Sequence, residues 1–181
     1  MIIRSATMAD APALAAIYGH HALNGFGTFE ETAPSPEDMA ARMKAVTDLG
    51  LPYRIAEIDG EILGFAYAGP FRARSAYRYT VEDSVYIAPG RQGQGVGKAL
   101  LTAVIAACEP LGLRQMVAMI GDTENAGSVG VHRACGFVHT GTLTAVGYKA
   151  GRWVDVVIMR RPLNGGEATP PGPGGIELSG R

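Results

Sequence analysis

The chain has 181 residues, 47% hydrophobic and 18% charged, with 16 Lys and Arg against 17 Asp and Glu for a formal net charge of −1. That balance suits one globular domain and gives no reason to expect nucleic acid or a membrane surface as partner. Two cysteines, Cys108 and Cys135, are too few for a disulfide or zinc framework, and no charged leader or membrane-length apolar run is present, so a cytoplasmic enzyme without a metal is expected.

Ile2-Ile3-Arg4 is a short apolar start, and Thr7 with Asp10 resembles a capping box. Leu14, Ile17, Tyr18 and His21 recur at helical spacing, which predicts a first helix over 9–23. Asn24 to Glu31 is turn-rich and carries Phe26 and Phe29. Ser35-Pro36-Glu37-Asp38 supplies a cap, a proline at the first helical position and acids in the first turn, so a second helix runs from there to near Gly50. Asp59-Gly60 between two apolar runs, 53–58 and 61–67, is a hairpin signal. Gly69-Pro70 breaks the chain, and residues 71–79 are rich in arginine and aromatics. Residues 80–88 read as a central strand, 95–111 as an amphipathic helix, 116–120 as a buried strand and 125–135 as a helix stopped by Gly136. Residues 140–146 and 153–160 read as closing strands around 148–151. From Asn164 the composition turns to Gly and Pro, which predicts one domain over 1–163 and a disordered tail over 164–181.

The stretch from Val85 to Leu101 organises the rest. An apolar strand passes through Pro89-Gly90 into a loop where Gly93, Gly95 and Gly97 alternate, then into a helix. Glycine lets backbone N–H groups face a ligand, and a helix start attracts anions, so the stretch reads as a phosphate cradle. A Walker A loop fails, because Gly97-Lys98 is followed by Ala99 and its first glycine position holds Gln92. A G-x-G-x-x-G dinucleotide motif fails on spacing. Gln92-x-x-Gly95-x-Gly97 resembles the Gln/Arg-x-x-Gly-x-Gly/Ala signature of the GNAT acetyltransferases.

The resemblance covers about residues 1 to 161. It implies an α/β (α+β) GNAT fold, a mixed, mostly antiparallel sheet with helices on both faces. It implies acetyl-CoA as co-substrate, its pyrophosphate held by Gln92, Gly93, Gln94, Gly95, Val96, Gly97 and Lys98. Val85, Tyr86 and Ile87 would pair with the pantetheine arm and offer N–H groups to the oxyanion, and Asn125 would touch the cofactor; as a residue alone, Asn125 reads equally as a helix cap. Inside the superfamily the chain is similar to phosphinothricin and methionine sulfoximine N-acetyltransferases. Phe71-Arg72-Ala73-Arg74-Ser75-Ala76-Tyr77, Thr80-Val81-Glu82-Asp83-Ser84-Val85-Tyr86, Ser128 to Arg133, and Gly147 to Val156 carry that similarity.

An amino group reacts only after losing a proton, so a base is needed. Glu82 matches the family's base; read alone it is an edge or salt-bridged glutamate. His132 stands where many relatives carry a tyrosine acid, and acid, base and structural roles all stay open for it. Arg72, Ala73, Arg74, Tyr77, Glu82, Asp83 and Ser84 are implied as the substrate wall, the two arginines lying on one side if their segment is extended. His20, His21 and His139 have no partner spacing and receive no role. Trp153 reads as core or dimer packing. The resemblance further implies herbicide resistance and a homodimer. The competing readings are a GNAT enzyme for another small amine or a protein N-terminus, and a non-catalytic acyl-CoA-binding domain.

Overall fold

In the computed structural model, which describes residues 1–178, seven strands form one sheet. They are β1 (Ile2–Ser5), β2 (Tyr53–Ile58), β3 (Glu61–Pro70), β4 (Thr80–Ile87), β5 (Gln115–Gly121), β6 (Val138–Lys149) and β7 (Arg152–Pro162). Their spatial order is β1-β2-β3-β4-β5-β7-β6, and only β4 and β5 run parallel. The helices are α1 (Ala11–Asn24), α2 (Pro36–Thr47), α3 (Val96–Cys108) and α4 (Ala126–Ala134).

Strand alternation divides the core. Tyr53, Ile55 and Phe65 face one side and bury Leu14, Ile17, Tyr18, Met39 and Met43 of α1 and α2. Ala56, Ala66, Ala68 and Val81 face the other side and bury Leu100, Leu101 and Val104 of α3. Small residues there let α3 lie close to the sheet.

Local signals act as the sequence suggests. At α2, Ser35 Oγ accepts from Asp38 N and Asp38 accepts from Ser35 N, both at 3.1 Å. Asp59 and Gly60 both take positive φ, 50° and 84°, as the two-residue β2–β3 turn requires. Near the N-terminus, Arg4 donates to Asp10 at 2.8 Å and lies 2.7 Å from Glu57, tying β1 to β2 and to the chain entering α1. β3 continues through Gly69 and Pro70, where a break is expected, because β4 pairs with it as far as Pro70↔Val81. α3 stops at Cys108 rather than Leu111; a 3-10 turn over Glu109–Leu111 and a left-handed Gly112 end it.

The C-terminal segment differs most from expectation. Residues 164–178 are not a free tail. Arg114 Nε donates to Gly166 O at 2.8 Å, and Ile176 N donates to Arg78 O at 2.8 Å. Ile176 is buried in the α3-side core. Composition hides this, because the anchoring comes from hydrogen bonds of distant backbone and side-chain groups, with Ile176 and the half-buried Leu178 packed on the core. Residues 179–181 lie outside the described residues. Among the described residues no helix is long and apolar enough to cross a membrane, and no group of three or more His, Cys, Asp or Glu side chains is placed to hold a metal.

Candidate active site

β4 and β5 part company halfway along. Their last pair is Asp83↔Ala118, yet β4 runs on to Ile87 and β5 to Gly121. Each strand then follows its other neighbour: β4 pairs with β3 up to Gly64↔Ile87, and β5 with β7 up to Gly121↔Val156. The wedge between them exposes backbone N–H and C=O groups that β4 and β5 do not share, and a buried backbone group needs a partner. A cavity of about 340 Å³ fills this wedge and extends to the glycine loop and the start of α4.

Glycine backbone angles shape the loop. Gly90, Gly93 and Gly95 take φ of 78°, 76° and 80°, a region side chains rarely enter. A Cβ at Gly93 or Gly95 would meet open space, so backbone angle rather than crowding demands glycine there. Gly95 precedes α3 without any side-chain cap, which leaves the first N–H groups of α3 facing the cavity. Gly97 does something else: a Cβ on it would lie 3.4 Å from Val131, so it lets α3 and α4 approach. Gln92, Gly93, Gly95, Val96, Gly97 and Lys98 all border the cavity; Gln94 does not, its side chain donating back to Gly90 O at 3.3 Å. Arg91, given no role from sequence, also borders it while paired with Glu61 at 2.6 Å.

Val85, Tyr86 and Ile87 form one wall. Asn125 stands at the start of α4. Its Oδ1 accepts from Ser128 N at 3.1 Å, capping α4, and the residue borders the cavity. His21 is the residue that sequence reasoning missed. It borders the cavity, and its Nε2 donates to Ile87 O at 2.8 Å. Burial lowers its pKa against that hydrogen bond, so a neutral ring holds the end of β4 to α1. The helical stripe through Leu14, Ile17 and Tyr18 was the available signal, but it identifies a buried face, not its neighbour.

The predicted substrate residues separate. Alternation puts Glu82 on the opposite face of β4 from Asp83. Glu82 does not border the cavity; it is one-third exposed and lies 4.0 Å from Arg72. Burial raises its pKa, the Arg72 charge opposes the rise, and the Asp83 charge adds to it. Arg72 also stacks on Phe71, 4.4 Å from the ring centroid, and donates to Phe71 O at 2.8 Å. The segment is not extended: it bends, and Ser75–Tyr77 form a 3-10 turn. Ala73, Arg74 and Tyr77 are exposed on it, away from the cavity. Of the two arginines only Arg72 approaches Glu82, because the turn after Arg74 removes the two-residue periodicity that would align them. Ser84 borders the cavity. Asp83 does too, but its side chain is fully buried against His132, with Oδ2 2.9 Å from His132 Nε2, so its carboxyl makes an internal hydrogen bond rather than facing a substrate.

Comparison with known proteins places this geometry. Residues 3–158 match the family described as "Acetyltransferase (GNAT) domain". A phosphinothricin N-acetyltransferase of Alcaligenes faecalis is 55% identical over 162 residues, covering 90% of this chain and 82% of that protein. An L-methionine sulfoximine/L-methionine sulfone acetyltransferase of Salmonella typhimurium is 36% identical over 164 residues, covering 91% and 95%. The crystal structure of a phosphinothricin acetyltransferase from Sinorhizobium meliloti in complex with AcCoA superposes with a TM-score of 0.92 at 45% identity, covering 96% of this chain and 94% of that one. With the family matched along most of its length, and with a split between two parallel strands leading into a glycine loop, the chain belongs to the GNAT acetyltransferases.

Proposed function

We propose that the chain transfers the acetyl group of acetyl-CoA to the amino group of a small amino-acid-like compound such as phosphinothricin or methionine sulfoximine. The observation that carries this reading is the wedge between β4 and β5 opening onto the glycine loop. The residues present fit acetyl-CoA: the N–H groups at the start of α3 suit a pyrophosphate, and the free edge of Ser84 to Ile87 suits an amide-bearing arm added like a strand. When bound, the co-substrate supplies the thioester, and the same edge offers N–H donors to an acyl oxygen.

Glu82 receives the proton of the attacking amine, directly or through a water. Its raised pKa suits this, since a base works best when it titrates closer to the operating pH. A non-catalytic binding domain has no use for a glutamate held this way. Arg72 beside it attracts the carboxylate of an amino acid. The amine approaches from the face of β4 that carries Glu82, and the thioester from the wedge. The protein further reads as a cytoplasmic homodimer. Leu143, Val146, Tyr148 and Trp153 are exposed on the outer hairpin of β6 and β7, a surface suited to a second copy. A cell carrying the enzyme gains tolerance to phosphinothricin as a herbicide.

A thiol-release assay with acetyl-CoA against phosphinothricin, methionine sulfoximine, other amino acids, simple amines and an N-terminal peptide tests the reading. Turnover of the first two above the others supports it. Preference for the peptide or for a neutral amine transfers the assignment to that substrate, and thiol release with none of them overturns catalysis.

A further inference from the structure

Residues 72–78, the stretch that carries Arg72, are all exposed, so no side chain there is anchored in the core. Their position depends on what holds the two ends. At the entry, Phe71 N donates to Thr80 O at 3.4 Å, a long bond. At the exit, the C-terminal segment takes hold. Ile176 N donates to Arg78 O at 2.8 Å, and the Tyr79 hydroxyl donates to Gly172 O at 3.3 Å. Arg114 N and Gln115 N both donate to Tyr79 O, and the Arg114 side chain donates to Gly166 O at 2.8 Å and Thr169 O at 2.9 Å. The start of β5 is thus bonded to the end of the loop and to the C-terminal segment at once. Gly175 makes the close approach: its φ is 91°, and a Cβ there would lie 2.8 Å from Arg78 O and 3.0 Å from the Tyr79 ring. Ile176, next in the chain, is 4% exposed in the α3-side core and fixes the segment there.

Contacts run on from Arg78 to Arg72. Arg78 donates to Ser75 O at 3.1 Å from both its backbone N and its Nη1, and Tyr77 N donates to Arg74 O at 2.9 Å, which closes the 3-10 turn. The Tyr77 ring meets Phe71 edge-on at 5.6 Å between centroids. Phe71 in turn carries the Arg72 guanidinium, whose other neighbour is Glu82 at 4.0 Å. An exposed arginine has many rotamers, and holding it in one before a ligand arrives removes part of the entropy that binding would otherwise cost. An anchor at Arg78 therefore reaches the Arg72 guanidinium through the turn and two stacked rings.

We propose that the C-terminal segment straps the 71–79 loop, with Ile176 as its positioning residue, so that Arg72 is held beside Glu82 to receive the carboxylate of the acceptor amino acid. The consequence for the acceptor rests on the proposed acetyl transfer; the strapping of the loop does not. The strap acts on the acceptor and leaves acetyl-CoA alone. None of Gly175, Ile176, Arg78, Tyr79 and Arg72 borders the cavity. Gly175 N meets Leu111 O beyond the C-terminal end of α3, whereas the glycine loop opens the N-terminal end of that helix, about 20 Å away along its axis.

Hydrogen–deuterium exchange and steady-state kinetics on the full chain test this, with Ile176→Ala, Gly175→Ala and the conservative Ile176→Val, each well below its melting temperature. Ile176→Ala removes the anchor. Gly175→Ala sets a methyl against Arg78 O and keeps the isoleucine, so it serves even if the first variant does not fold. In both, the amides of Tyr77, Arg78 and Ile176 should exchange roughly tenfold faster, while those of α1, across the sheet, stay as they are. KM for phosphinothricin should rise roughly three- to tenfold with KM for acetyl-CoA unchanged, and Ile176→Val should stay near the parent in both. In an Arg72→Ala protein, adding Ile176→Ala should raise the phosphinothricin KM no further, because the strap acts through Arg72. Unchanged exchange at these amides in both Ile176→Ala and Gly175→Ala overturns the strap. A loosened loop with the phosphinothricin KM unmoved, equal rises for both substrates, or additive losses in the double variant overturn the positioning role. A loosened loop in a protein that acetylates nothing leaves the strap standing and removes the proposed function instead.

Discussion

Glu82 and Arg72 are where one charge tunes another. Glu82→Gln keeps the shape and removes the basicity, so kcat should fall roughly 10²- to 10⁴-fold with acetyl-CoA affinity nearly intact, as measured by steady-state kinetics and calorimetry. Its stability effect has the opposite sign. A carboxyl whose pKa is raised by folding contributes stability below its unfolded pKa and loses it as pH rises through the folded value. At pH 8 the Gln variant should therefore melt no lower than the parent. Arg72→Ala tests the neighbour. Charge-assisted hydrogen bonds contribute roughly 1.5–3 kcal/mol, so KM for an anionic amino acid should rise on the order of 10- to 100-fold while a neutral amine is hardly affected. Because the Arg72 charge lowers the Glu82 pKa, its removal should also shift the acid limb of kcat/KM to higher pH. Equal losses for charged and neutral amines would assign Arg72 to the loop alone.

At the scale of elements, the loop before α3 and the segment after β7 make contrasting tests. Gly95→Val forces a branched residue to φ near 80°, so the loop should lose its shape and acetyl-CoA its grip, while α3 and the sheet keep their circular dichroism. Wild-type affinity in a folded Gly95→Val protein would place the cradle elsewhere. The C-terminal segment looks dispensable by composition, yet Ile176 is buried and Arg78, Arg114 and Leu113 are hydrogen-bonded to it. Burying an isoleucine contributes roughly 2 kcal/mol. A chain ending at Leu163 should therefore melt about 4–8 °C lower, at 2–4 °C per kcal/mol for this size. Since Ile176 N is bonded to Arg78 O, the loss should also loosen the turn that follows Arg74.

For the molecule as a whole, two ion pairs bound the pH range of stability from opposite sides. Asp10, held at about 2 first by its Arg4 hydrogen bond against burial, contributes stability present above its unfolded value near 4 and lost as pH falls through 2. With Arg4 more than one-third exposed, solvent screening limits this to about 1 kcal/mol. His132 works on the other side: its raised pKa contributes stability below about 6.5 that is lost as pH rises through the folded value. Melting temperature against pH should show a plateau between these limits, and D83N should erase its alkaline edge. Self-association belongs to the same scale. Sedimentation should show a dimer, and Trp153→Asp should weaken it by placing a charge in the apolar patch.

Much of this was decided within short stretches of chain. Ser35 and Asp38 cap α2 with each other's backbone, Asp59-Gly60 turns where both residues accept positive φ, and Gly93 and Gly95 shape the loop through their own backbone angles. Such features need only a residue and its near neighbours, so they are legible in sequence, and the family signature in the same loop extended them to a fold. Tertiary structure decided what depends on distant partners. Whether Asp83 or Glu82 turns toward the wedge depends on which face of β4 the helix α3 covers, and α3 follows β4 in the chain without declaring its side. His21 meets Ile87 only because α1 crosses the end of β4, a contact spanning 66 residues. Ile176 reaches the core only because Arg78 and Leu111 offer carbonyls along its path. Short-range sterics and capping are written residue by residue; partners brought together across the sheet are set by how apolar faces pack, and the sequence carries that only in sum.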